Sequence, residues 1–353
     1  MRRRQRLALL AALLAVPGAA RAYALSPGDV LVTDVNNARI LQVDVATGAV
    51  SDFSPRLRSG PNLLVEPAAI ASDPGGEVDV VDQATGKLIA IDPATGEQSV
   101  VMEGDIISGF SPLDIGTDPR SIAIQRSTPT PGSFRTLWVG SEGALYEVDR
   151  ELFSVHVSPV VSDPAIQTPY GLAVAESGGV PVDYYFLTGG HIDVYDPVAH
   201  TIASLLLPVG GFVTGVDLDG DGVLFSDQIT CGVGDGGVFR LSQSSPIASG
   251  PLFDCAGAVA IAPGSPFTFY LNDRGVIPEQ IVEYREGANP RVIGVMPRDR
   301  TLQSIPEGIA VYVPEPDGAA LSQVVLAMAA LSACARKRAR AMARIPSAAA
   351  KPA

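Results

Sequence analysis

Six copies of one short, β-rich pattern run through this chain, and they constrain its fold more than any other feature. Aligned on Ile70, Ile122, Leu172, Val216, Val259 and Ile309, the segments EPAAIA, DPRSIA, TPYGLA, FVTGVD, AGAVA and IPEGIA step by 52, 50, 44, 43 and 50 residues. A second type of run recurs beside them: DVLVTD (29–34), EVDVVD (77–82), TLWVGS (136–141), YYFLTG (184–189), GVLFSD (222–227) and FTFYLND (267–273). A third follows after short loops: RILQVD (39–44), KLIAID (87–92), ALYEVD (144–149), HIDVYD (191–196), GVFRLS (237–242) and QIVEYR (280–285). The second runs are β-rich and end in a polar or Gly turn, which is how a strand reads. A period near 45 residues with three to four strands per unit predicts an all-β chain folded as a six-bladed β-propeller. The abundant and dispersed Gly and Pro, 36 and 29 residues, fit the many turns this requires.

The chain joins this pattern out of phase. It starts on the second type of run, at Asp29, and ends on the first type, at Ile309. The ring must therefore close by pairing its C-terminal strand into the first blade, which leaves no exposed strand edge at the join.

Both ends fall outside the repeat. Residues 1–24 combine Arg2, Arg3, Arg4 and Arg6 with an apolar run from Leu7 to Val16 and small residues at Ala20, Ala22 and Ala24, the make-up of a secretory signal peptide. Residues 25–313 are the expected propeller. Residues 314–340 hold Pro314, Glu315 and Pro316, an apolar stretch from Ala319 to Ala335, and then Arg336, Lys337, Arg338 and Arg340; residues 341–353 read as a disordered tail.

That order of motif, apolar stretch and basic cluster resembles the PEP-CTERM sorting signal of exosortase-bearing Gram-negative bacteria. The resemblance implies export through the inner membrane, with transient or permanent retention there by the apolar stretch, its basic side in the cytoplasm. It further implies cleavage near Pro314-Glu315-Pro316 by an exosortase-type enzyme, and delivery to the cell surface or extracellular matrix. A plain C-terminal membrane anchor is the alternative.

Between Arg21 and Arg336 lie 14 of the 25 basic residues and all 38 acidic ones, about 24 net negative charges. Binding a polyanion needs clustered Lys and Arg, so a nucleic-acid partner is not expected.

LVTD (31–34), DVVD (79–82), LFSD (224–227) and YLND (270–273), with NNARILQVD after the first, resemble the six-bladed propellers of the NHL, YWTD and gluconolactonase-like superfamily. The resemblance speaks for architecture, since fold does not carry activity. Its hydrolase branch implies a divalent cation in the channel, held by side chains around the starts of the inner strands. Glu66 and Glu307 occupy such places, but comparable positions two before other repeat anchors hold Arg120, Tyr170 and Thr214, a poor cage for a hard cation. A second cation candidate is DLDGDGVLFSDQ (217–228), where Asp217, Asp219 and Asp221 match the opening of a calcium loop. Its twelfth position is Gln228 instead of Glu, and a tight turn between two strands explains the same residues.

The strand-closing Asp34, Asp82, Asp227 and Asp273 read as architecture. His156, His191 and His200 do not converge in the repeat, and Trp138 reads as core. Cys231 and Cys255, an even pair in an exported domain, are expected to form a disulfide beside the Gly-rich loop 232–237. The functional expectation is a non-catalytic binding or scaffold propeller engaging an envelope or matrix polymer or protein, with no firm cofactor and calcium as the one candidate. The alternative is a cation-dependent lactonase-type hydrolase.

Overall fold

A computed structural model of the chain describes residues 25–312 apart from 55–60, 73–76, 102–118, 125–134, 142, 151–154, 165, 167–168, 179, 189–190, 206, 208–211, 220–221, 229–235, 254, 263–266, 275–277 and 298–305. The signal-type start, Cys231, Asp221 and the sorting-type tail lie outside the described residues.

The first blade begins with β1 (Val30–Asp34), β2 (Arg39–Val43) and β3 (Val50–Ser54). The second holds β4 (Pro67–Ser72), β5 (Val78–Asp82), β6 (Lys87–Ile91) and β7 (Gln98–Val100), and the third β8 (Ser121–Ile124), β9 (Arg135–Ser141), β10 (Ala144–Arg150) and β11 (Val155–Ser162). The fourth holds β12 (Gly171–Ser177), β13 (Val180–Thr188), β14 (His191–Asp196) and β15 (Thr201–Leu205). The fifth holds β16 (Phe212–Asp219), β17 (Gly222–Gln228), β18 (Gly237–Arg240) and β19 (Ala248–Ser249), and the sixth β20 (Ala256–Ile261), β21 (Thr268–Asp273), β22 (Gln280–Arg285) and β23 (Arg291–Val295). The last strand, β24 (Pro306–Val311), completes the first blade in the order β24-β1-β2-β3. Each of the other sheets runs in sequence order.

Closure of the ring follows the phase offset in the sequence. β24 pairs with β1 through Val30↔Val311, Leu31↔Ala310 and Val32↔Ile309. Two backbone hydrogen bonds lock the join, from Tyr312 N–H to the Asp29 carbonyl at 2.8 Å and from Gly28 N–H to the Tyr312 carbonyl at 3.0 Å. The innermost strands touch in cyclic order β24, β4, β8, β12, β16, β20 and back to β24.

The hydrophobic core is divided between the blades. Leu31, Ile40 and Phe53 of the first blade pack on Val78, Val80 and Ile89 of the second, and equivalent clusters fill each of the other five junctions. A second strand therefore has a neighbouring blade on both faces, and β1 and β5 are buried at every residue. That is why LVTD and DVVD read as continuous runs, where a half-exposed strand would alternate. Burying one such Leu, Ile or Phe contributes about 1.5–3 kcal/mol. Trp138 belongs to this core, 1 % exposed and edge-on to Tyr184 with ring centroids 6.0 Å apart.

The position just before each repeat anchor is small: Ala69, Ser121, Gly171, Gly215, Ala258 and Gly308. These residues set how closely the innermost strands approach. A Cβ on Gly308 would lie 2.9 Å from the Ala69 Cα, and one on Gly171 3.1 Å from the Val216 side chain.

The strand-closing aspartates are fully buried and act within the architecture. Asp82 Oδ2 accepts from the Val65 and Glu66 N–H groups at 2.6 and 2.8 Å, and its Oδ1 accepts from the Thr85 N–H and hydroxyl. Asp273 Oδ1 accepts from the Cys255 N–H at 3.1 Å. Each of these two carboxylates thus ties the chain entering an inner strand to the end of the second strand of the same blade. The Thr-Gly turns work by a related local rule: Asp44 and Asp92 each accept from the N–H groups two and three residues on, and Gly48 and Gly96 then take positive φ.

On the sixth blade, Glu283 is buried beneath two arginines. Burial pushes its pKa up, but hydrogen bonds from Arg291 and Arg285 outweigh this and hold it below the ordinary glutamate value. A depressed carboxylate adds stability above its unfolded pKa of about 4.3, and this is lost as the pH falls through the folded value. Glu283→Gln should therefore melt several degrees below the wild type at pH 7, with the gap closing below about pH 4. Thermal melts across pH 3–7 check this.

Candidate functional site

Each innermost strand pairs on one edge only, so its other edge faces the axis of the ring. The axis is a channel of about 910 Å³, walled mainly by Ala, Ile, Val and Gly from the six innermost strands. Small residues leave it open, and the repeat makes its walls nearly uniform.

Chemistry departs from uniformity at its mouth, where the innermost strands begin. The six positions two before the anchors are, in ring order, Glu307, Ala68, Arg120, Tyr170, Thr214 and Gly257. Tyr170 and Glu307 both line the channel, and they precede anchors half a ring apart. Tyr170 is 51 % exposed, with the Arg120 guanidinium 5.2 Å from its ring centroid. The Thr214 hydroxyl meets the Ser226 hydroxyl at 3.1 Å and also bonds the Ala256 carbonyl. Close to Glu307 stands Arg274, with a buried Nε that has no hydrogen-bond partner among the described residues. Burial lowers the pKa of that guanidinium, while Glu307 and Glu279 push it back up.

The predicted site residues are distributed unevenly over this geometry. Glu307 and Asp217 line the channel; Glu66 is exposed just before β4, and its Oε2 accepts from the Gln83 amide at 2.9 Å. Residues 217–228 form the β16–β17 hairpin: Asp219 pairs with Gly222, which takes φ 135°, and Gln228 pairs with Phe212. Only residues 220–221 separate the two paired strands, so the segment folds as a tight ribbon and not as a twelve-residue loop between helices. Within the ribbon Asp217 accepts from two backbone N–H groups, Leu218 at 2.8 Å and Ile261 of the next blade at 2.9 Å. The Asp219 side chain and Asp221 lie outside the described residues.

A hard divalent cation does not fit the described part of this site. Glu307 is opposed by Arg274, its partners around the mouth are Ala, Arg, Tyr, Thr and Gly, and no group of three His, Cys, Asp or Glu side chains able to hold a metal occurs among the described residues. We derive no step through a metal.

Cys255 is buried and disulfide-bonded; its predicted partner Cys231 lies outside the described residues. His191 Nε2 is 3.2 Å from buried Asp193, and His200 Nδ1 is 3.0 Å from the Tyr195 hydroxyl, so these two histidines belong to separate contacts. The His156 side chain lies outside the described residues. Sequence reasoning missed Arg274, which follows the closing Asp of its blade where a turn residue is the default expectation. The small-residue ring was visible in PYGLA, VTGVD and PEGIA.

Six four-stranded sheets closed around a lined channel define a six-bladed β-propeller. No protein-family model matches the sequence, and comparison with curated proteins finds no match. Among solved structures, the chain is similar to one in the crystal structure of the nidogen/laminin complex, with TM-score 0.56 and 12 % identity over 81 % of this chain and 99 % of that one. Virginiamycin B lyase from Staphylococcus aureus has TM-score 0.44 and 11 % identity over 78 % of this chain and 83 % of its own, and U3-55K has TM-score 0.45 and 11 % identity over 77 % and 82 %. At these identities the likeness is one of fold.

Proposed function

We propose that the chain is an exported binding propeller, sorted through its tail to the cell surface or extracellular matrix of a Gram-negative bacterium, where it engages an envelope or matrix component without catalysis. The observation that carries the binding role is the channel mouth. There an otherwise uniform repeat presents a half-exposed Tyr170 stacked under Arg120, with Glu307 on the opposite wall. An open cavity with apolar walls and a few polar groups at its rim is a recognition surface. The export and sorting reading rests on the signal-type start and on Pro314-Glu315-Pro316 with the apolar and basic stretches that follow.

The test is retention on the producing cells. Wild-type protein should stay with washed cells, while Tyr170→Ala, folded to the same melting temperature, should be released into the medium at least about tenfold more. Equal retention of the two would remove the mouth from the account. Replacing Pro314, Glu315 and Pro316 together by Ala should hold the protein at the inner membrane in unprocessed form, read by fractionation and mass. Normal surface delivery of that variant would rule out the sorting role.

A further inference from the structure

We propose that the mouth takes a neutral sugar chain, an inference that rests on the binding role above and gives the ligand its chemistry. Tyr170 is not required by the fold at its position, since the equivalent places in other blades hold Ala68, Gly257 and Thr214. Its ring is half in water, and Arg120 sits over it, fixing the ring and bringing N–H donors beside it. Across the channel Glu307 supplies acceptors only, as Arg120 supplies donors only. The channel edges of the innermost strands add backbone N–H and C=O groups.

A pyranose matches this set group by group. Its C–H face suits an amphipathic aromatic ring, and each hydroxyl both donates and accepts, so a sugar chain lying across the mouth satisfies the guanidinium on one side and the carboxylate on the other, in charge-assisted bonds. A polyanionic chain meets Glu307 and a body of about 24 net negative charges. A cationic ligand meets Arg120 on the aromatic ring it would seek. A peptide would need apolar anchors in side-chain pockets, and among the described residues the polar rim of this mouth offers one amphipathic ring in their place.

The experiment adds purified exported protein back to cells stripped of it. The stripped cells are first treated with periodate, which cleaves vicinal diols of sugars, or with a broad protease. Rebinding should fall at least about tenfold after periodate and stay unchanged after protease, and the neutral fraction of the released polysaccharide should compete while its acidic fraction does not. Tyr170→Phe, which keeps the ring, should rebind within about threefold of the wild type, and Tyr170→Ala should not rebind. Loss after protease with survival of periodate would overturn the sugar assignment while leaving the mouth as the binding site, and the ligand would then be a protein. Competition by the acidic fraction would also overturn it. Rebinding by Tyr170→Ala at the wild-type level would overturn the binding role itself.

Discussion

Gly215→Val should leave little folded protein. A Cβ at this position would sit 2.8 Å from the Gly257 carbonyl oxygen, the Val259 nitrogen and the Ser226 Oγ. Two of those atoms are backbone of β20, the innermost strand of the next blade, so no side-chain rotation relieves the clash. The branched side chain would force β16 and β20 apart, and a closed ring passes that displacement to the other blades. Overpacking of this kind costs about 3 kcal/mol or more, against a total stability of about 5–15 kcal/mol. Soluble yield and a urea melt check it. Gly178→Ala is the control: nothing lies within 4 Å of its Cβ, but φ is +61°, so only the backbone cost of about 1–2 kcal/mol is expected. Equal melts for the two variants would mean that the inner ring is more loosely packed than described.

Asp82→Ala should be the next most damaging change. It removes an acceptor for four hydrogen bonds, from the Val65, Glu66 and Thr85 N–H groups and the Thr85 hydroxyl, at 2.6 to 3.0 Å. Asp82 is fully buried, so the change also opens a small void between blades. The expected loss is about 3 kcal/mol, or roughly 5 °C in Tm for a domain of this size. Asp82→Asn should lose about half as much, because its amide oxygen still accepts from one pair of donors while the NH₂ faces the other. Because Val65 and Glu66 lead into β4 at the mouth, both variants should also expose that loop to protease before the domain melts.

Architecture was legible because it repeats. Apolar runs recurring about every 45 residues gave blade number, strand order and the closing role of Ile309, since each blade must bury both faces against its neighbours and must therefore carry the same pattern. The buried aspartates were legible for the same reason. The proposed binding role follows the opposite logic, resting on the places where the repeat breaks. Arg120, Tyr170 and Glu307 were visible as departures from the pattern, yet a single sequence cannot say that Tyr170 is half exposed or that Arg120 covers its ring. DLDGDG reads both as the opening of a cation loop and as a tight turn, and residue types alone do not separate the two; strand pairing through Asp219↔Gly222 places it in a hairpin, where Asp217 caps backbone N–H groups. Arg274 left no signal, because Glu307 reaches it only when β24 packs beside the sixth blade.

The central claim is that the mouth recognises its ligand by stacking and hydrogen bonding, with no cation held there. A thermal melt of the exported protein in calcium and in chelator tests it most directly, because a ligand of the folded state must raise the melting temperature. The account predicts the same Tm in both. A calcium site filled at a hundred times its Kd would add about 2.7 kcal/mol, or roughly 4–5 °C. A rise of that size, abolished by Glu307→Ala, would contradict the account and place a cation at the mouth.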